Sequence, residues 1–136
     1  MTKARLLELA ARFPKTRVLV LGDLILDEFI WGAVDRISPE APVPVVRMER
    51  ESHMPGGAAN VASNIRALGG EPILIGVVGR DQAGSRLREA LESRKISTQL
   101  LLTDPARPTT TKTRVVAHHQ QVVRIDREKA ASFSAL

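Results

Sequence analysis

Residues Pro55 to Gly70 constrain the fold more than any other stretch of this chain. Gly56 and Gly57 stand directly before Ala58-Ala59-Asn60-Val61-Ala62-Ser63-Asn64. Ala58, Val61, Ala62, Ile65 and Leu68 recur at helical spacing, and Gly69-Gly70 ends the run. The pattern predicts an amphipathic helix over 57–68, entered through a glycine turn. Apolar runs closed by glycine lie on either side, Val18-Leu19-Val20-Leu21-Gly22 and Ile73-Leu74-Ile75-Gly76-Val77-Val78-Gly79. Such runs read as buried parallel strands. Asp81 can cap a further helix over 82–94, with Ala83, Leu87, Ala90 and Leu91 on one face, and Thr98 to Leu102 reads as a third strand. Strand and helix alternate, so the body is α/β, a mostly parallel sheet with flanking helices.

Two segments break the alternation. Residues 31–50 are extended and punctuated by proline. Pro42 and Pro44 forbid a helix there and suit an edge strand or a strand start. Residues 109–127 predict a hairpin with its tip at His118-His119-Gln120-Gln121. Together they would form a small antiparallel layer beside the main sheet. The N-terminus, Met1 to Phe13, predicts an amphipathic helix (Leu6, Leu9, Ala10, Phe13) stopped at Pro14. Glu8 and Arg12 inside it exclude a signal peptide. No apolar run approaches the length of a membrane span. With no cysteine there is no disulfide framework and no thiolate metal site, which points to the cytoplasm. The last residues, Glu128 to Leu136, bring no structural closure. So few parallel strands cover a sheet poorly, which suggests the first part of a larger unit.

The net charge of +5 is unevenly placed: residues 107–129 hold six Lys/Arg against two Asp/Glu, while residues 1–106 are nearly balanced. A nucleic-acid surface would interleave aromatic residues with such a stripe, and this one has none. An anionic small molecule is the better partner; a merely solvated face is the alternative. At 56–60, glycine removes the Cβ that keeps a ligand from the backbone, and a helix N-terminus offers N–H groups and a positive dipole end. Asn60 and Asn64, one turn apart, can add amides. Such an opening grips a polyol or a phosphorylated ligand, although a plain tight turn before a core helix has the same residues. His118 and His119, as hairpin-tip residues, read as solvent-exposed rather than as metal ligands or acid/base groups.

Three linked motifs carry a family resemblance: Gly22-Asp23-Leu24-Ile25-Leu26-Asp27, Arg36-Ile37-Ser38-Pro39-Glu40-Ala41-Pro42-Val43-Pro44-Val45, and Pro55 to Asn64. They resemble the ribokinase-type (phosphofructokinase-B) sugar kinases. Thr111-Lys112-Thr113-Arg114 and Gln120 to Asp126 bring the chain closest to the members that phosphorylate the anomeric hydroxyl of D-glycero-D-manno-heptose 7-phosphate with ATP. In many bacteria that kinase is fused to a nucleotidyltransferase domain and feeds lipopolysaccharide core synthesis.

The resemblance implies a ribokinase-like fold of which residues 1–136 are the N-terminal part, with a β lid at about 31–50 and 109–127. It implies that Asp27, Gly56, Gly57 and Asn60 bind the sugar, with Asp23 and Asn64 as weaker candidates. A carboxylate is the natural acceptor for two neighbouring hydroxyls. Lys112, Arg114 and Arg124, on the candidate lid strands, become candidates for the substrate phosphate. Alternation puts Lys112 and Arg114 on one face without saying which face. The partners implied are a sugar phosphate and a second copy through the lid, with no nucleic acid and no membrane. The family's later Gly-Ala-Gly-Asp turn has no match here, so the chain is expected to hold no catalytic residue, no metal site and no ATP site. ATP and Mg²⁺ would serve the complete enzyme, and the chain alone is expected to be inactive. Asp81 reads as a cap rather than a base.

Overall fold

In the computed structural model, which describes residues 2–129, a short helix α1 (Lys3–Ala10) and a 3-10 turn (Phe13–Lys15) lead into β1 (Arg17–Leu21). Then come β2 (Leu24–Ile37), β3 (Pro44–Gly57), α2 (Ala58–Ala67), β4 (Glu71–Gly79), α3 (Gln82–Glu92), β5 (Leu101–Asp104), β6 (Thr110–Ala117) and β7 (Gln120–Arg127). Met1 and the chain end at 130–136, where the sequence suggests no closure, lie outside the described residues.

Two sheets result. One is wholly parallel, in the order β1-β4-β5. The other, in the order β3-β2-β6-β7, joins two antiparallel hairpins through a parallel β2–β6 pair. This second sheet is the expected extra layer, but it is mixed rather than antiparallel and it reaches further: its first strand begins at Leu24, and β3 runs to Gly57 at the mouth of α2. Asp27, Gly56 and Gly57 therefore sit on the layer itself. Pro44 is the first residue of β3, an edge strand, where a missing N–H costs least.

One apolar cluster joins both sheets and two helices, with Leu24 and Leu26 of β2, Leu74 and Val78 of β4, Ala59 and Ala62 of α2, and Leu87 and Leu91 of α3. The sheets meet where a Cβ on Gly76 would strike Leu24 Cγ at 2.6 Å. The expected face of α2 is met in part: Ala62 is in the core, and Ala58 and Ile65 pack against it. Ala59 and Ala62 are fully covered, whereas Val61 and Leu68 are exposed. α3 buries Ala83, Leu87 and Leu91 as its spacing predicts. α1 stops at Ala10 and buries none of its residues; Phe13 belongs to the 3-10 turn that follows it.

Other boundaries shift for local reasons. The third parallel strand starts at Leu101 rather than Thr98, because Thr98 is held in a turn. Its carbonyl accepts from Leu101 N–H and from the Arg88 guanidinium, and its hydroxyl donates to Glu92. The β6–β7 tip is only His118-His119, both left-handed (φ 49° and 62°) and exposed, so Gln120 and Gln121 join the strand. Among the described residues no helix is long and apolar enough to cross a membrane.

Candidate functional site

β2 presents Asp27, Phe29 and Trp31 on one face, since alternate residues of a strand share a side. The register places Met54, Ser52 and Arg50 of β3 opposite them, and Lys112, Arg114 and Val116 of β6 on the other flank. β7 adds Asp126 beside Lys112 and Arg124 beside Arg114. The face is thus laid out by pairing alone.

At its centre Arg114 Nη1 donates to Asp27 Oδ1 at 2.6 Å and to the Lys112 carbonyl at 3.3 Å. Both members of the ion pair are largely covered, with side chains 24% and 21% exposed. The other Asp27 oxygen lies where a Cβ of residue 56 would be, so Gly56 is required by the carboxylate that packs over it. The sequence assigns the free space at Gly56 to a ligand; the structure fills it with Asp27. Gly57 takes φ 57° and ψ −134°, a region glycine alone enters easily, and is the N-cap of α2. Ala58 N–H donates to the Asp23 carbonyl at 2.9 Å, so the first amide of α2 is already paired within the protein. Asp23 itself is exposed at the bend between β1 and β2.

Asn60 and Asn64, both exposed on α2, line a groove of about 450 Å³ with Met54, Pro55 and Arg66. Met54 lies opposite Asp27 in the β2–β3 register, while Asp27 itself does not line the groove.

The three candidate cations have partners within the fold. Lys112 Nζ lies 3.0 Å from Asp126 and 3.8 Å from Glu128, and Arg124 Nε donates to Asp126 at 2.9 Å. The Lys112 hydrogen bond holds the Asp126 carboxyl below its usual range; desolvation opposes it, and the bond and charge of Arg124 add to the lowering.

Phe29, Trp31, Ser52 and Arg50 complete this face, and the sequence reading does not include them. The Phe29 and Trp31 rings stack at 5.9 Å and 16°. Arg50 Cζ lies 4.8 Å above the indole, and Arg114 Cζ 5.2 Å above Phe29. The indole N–H points to Ser52 Oγ at 3.4 Å. The signal was available: Asp27, Phe29 and Trp31 alternate along one strand. It goes unseen when strand pairing begins only at residue 31.

The opposite face anchors the sheet to α3. Arg86 lies 3.7 Å from Glu28 and 3.5 Å from Glu51, and Thr113 Oγ1 donates to Glu28 at 2.6 Å. Asp81 is the cap of α3: its Oδ1 accepts from Gly84 N–H at 2.9 Å and from the Thr109 hydroxyl at 2.7 Å, while Oδ2 accepts from Thr109 N–H at 3.0 Å. Desolvation pushes its carboxyl up, but the bonds from Thr109 and Gly84 and the charge of Arg127 bring it below the usual carboxylate value. His118 and His119 stay at the exposed tip, with His118 Nε2 3.3 Å from the Val34 carbonyl. Among the described residues no three His, Asp or Glu side chains converge as a metal site.

Comparison with known proteins agrees with this architecture. Arabidopsis thaliana ribokinase, solved with ribose and ATP, superposes with TM-score 0.65 at 18% identity, covering 82% of this chain and 35% of that one. A carbohydrate kinase from Agrobacterium tumefaciens gives 0.66 at 23%, with the same coverages. In sequence, the bifunctional protein HldE of Caulobacter vibrioides is 53% identical over 123 residues, 90% of this chain and 26% of the relative. HldE of Hyphomonas neptunium is 51% identical over 131 residues, 96% of this chain and 27% of the relative. The chain therefore spans about a quarter of the length of these curated relatives. The profile of the pfkB family carbohydrate kinases matches residues 15–136, nearly the whole of the ribokinase-like unit described above, and the chain belongs to that family.

Proposed function

We propose that this chain supplies the acceptor-sugar site of a kinase that transfers the γ-phosphate of ATP to the C1 hydroxyl of D-glycero-D-manno-heptose 7-phosphate, a cytoplasmic step toward ADP-heptose and lipopolysaccharide. The observation that carries the reading is the Asp27 carboxylate, seated over Gly56 and bonded to Arg114 on a face rich in cations. Asp27 accepts hydroxyl protons of the sugar, the backbone at Gly56-Gly57 borders it, and the Asn60 amide fixes its orientation from the adjoining groove. Lys112, Arg114 and Arg124, each paired with a carboxylate of the fold, border the substrate as N–H donors. Asp23 and Asn64 take outer positions. The similarity to HldE proteins supports the choice of substrate. Another sugar of the same family is the neighbouring reading.

Phosphoryl transfer needs positioning, charge neutralisation and a base for the attacking hydroxyl. No residue described here is assigned to ATP, to Mg²⁺ or to the base; Asp81 is engaged as a cap. Leu19 and Leu21 on β1 are 62% and 74% exposed, which supports the reading that this unit works as the first part of a larger kinase domain.

The test is direct. By titration calorimetry the chain is expected to bind heptose 7-phosphate, and with ATP and Mg²⁺ to release no ADP. Sugar-dependent ADP release by the pure chain overturns the assignment of catalysis elsewhere, and absence of sugar binding overturns the acceptor site. All eight residues of β7 are exposed, Ile125 at 56%, which supports pairing of two copies through this sheet. A concentration-dependent dimer in sedimentation, weakened by Ile125→Lys, is the expected result.

A further inference from the structure

We propose that Arg50, held over the Trp31 indole, anchors the phosphate of the acceptor and selects phosphorylated over neutral sugars. The inference rests on the reading of this face as a sugar site and deepens it.

The argument is one of compensation. Four cations share the face: Arg50, Lys112, Arg114 and Arg124. Lys112 and Arg124 share Asp126, Lys112 also lies 3.8 Å from Glu128, so two carboxylates match these two cations, and Arg114 is paired with Asp27. Among the described residues no carboxylate forms an ion pair with Arg50; its contact is the indole face at 4.8 Å. A guanidinium over an aromatic ring keeps its charge and its N–H donors, because the ring quadrupole attracts it without accepting its hydrogen bonds. A phosphate dianion approaching a compensated pair meets little net charge, whereas at Arg50 it meets a full one and a fork of donors.

The residue is also pre-positioned. Trp31 stacks on Phe29 at 5.9 Å, and its N–H is directed at Ser52 Oγ. The platform is therefore held from the side and from below, and Arg50 loses less freedom on binding than a free side chain does. Arg50 pairs with Trp31, four residues along β2 from Asp27, about 13 Å of strand. Hydroxyls at Asp27 and a phosphate leaning toward Arg50 set an extended sugar phosphate along β2, with Arg114 between its ends.

Trp31 is the only tryptophan, so its emission reports this site alone. The experiment titrates the chain with heptose 7-phosphate and with the unphosphorylated heptose, reading affinity by calorimetry and Trp31 emission in parallel. Heptose 7-phosphate is expected to change Trp31 emission saturably. Arg50→Gln is expected to weaken heptose 7-phosphate at least tenfold and leave the neutral heptose within twofold; Arg50→Lys recovers part of the loss. Asp27→Asn is expected to weaken both sugars. Equal heptose 7-phosphate affinity in Arg50→Gln and the parent chain overturns the proposal while the sugar site stands. So does an equal loss for both sugars, which marks a structural role. Binding of neither sugar by the parent chain overturns the sugar site and this inference with it.

Discussion

Arg114 and Asp27, 87 positions apart in sequence, meet at 2.6 Å where β2 and β6 run in parallel. Their pairing means that the proposed hydroxyl acceptor is aimed by a cation from the neighbouring strand. Removing one partner leaves the other charge partly buried and unmatched. Arg114→Gln and Asp27→Asn are each expected to destabilise the fold by about 1–2 kcal/mol, and a double-mutant cycle to return a coupling of about 1 kcal/mol or more. Urea unfolding of the four proteins measures it; additive losses would show that the pair is not coupled.

Gly56→Ala is expected to behave as a site variant more than a core variant. The new methyl takes the place of an Asp27 carboxylate oxygen, so the carboxylate must swing off Arg114. We expect a stability loss of about 1–3 kcal/mol, as for other overpacked positions. Sugar affinity should fall at least as far as in Asp27→Asn. An unchanged affinity in a folded Gly56→Ala protein would remove Asp27 from the binding role.

Asp81 carries a pH dependence whose sign follows from its lowered folded-state value. The unfolded group titrates near the ordinary 3.8. Its contribution is therefore complete above that value and fades as the pH falls through the folded one, where protonation ends the ionic bonds. Asp81→Ala loses the α3 cap and strands Thr109, which is 1% exposed, so about 2–3 kcal/mol should go at neutral pH. Asp81→Asn keeps a capping oxygen without the titration. Its disadvantage relative to the parent chain is expected to shrink below about pH 4, as thermal unfolding across pH measures.

The β6–β7 turn offers a gain. Two consecutive left-handed residues at His118 and His119 are the geometry for which Asn-Gly is preferred. The double substitution His118→Asn with His119→Gly is expected to raise stability by about 0.5–1 kcal/mol, seen as a higher melting temperature, with sugar affinity unchanged.

The body of the fold was legible because each signal was local: apolar runs closed by glycine for β1 and β4, the Asp81 cap for α3, and Gly57 before α2. The second sheet was legible only in part. Its prolines marked Pro44 as a strand start, but nothing local says that Leu24 to Trp31 pairs with both β3 and β6, because that register is set by partners far along the chain. The site suffered accordingly. Motif and resemblance nominated Asp27, Gly56 and Gly57, while Arg50, Phe29 and Trp31 beside them needed the strand face. Charge alone nominated Lys112, Arg114 and Arg124; only the pairing pattern distinguishes a compensated cation from a free one.

The parallel β2–β6 pair also orders the folding reaction. A parallel partner cannot be reached through a tight turn, so β6 can lie down on β2 only after the intervening chain has returned across the molecule. The local hairpin β2–β3 and the β4–α3 unit close short loops and are rewarded early, whereas the Arg114–Asp27 contact bears a large loop-closure entropy. The proposed sugar site is therefore completed at the end of folding, and until then the inner edge of β2 remains open to any strand that arrives first.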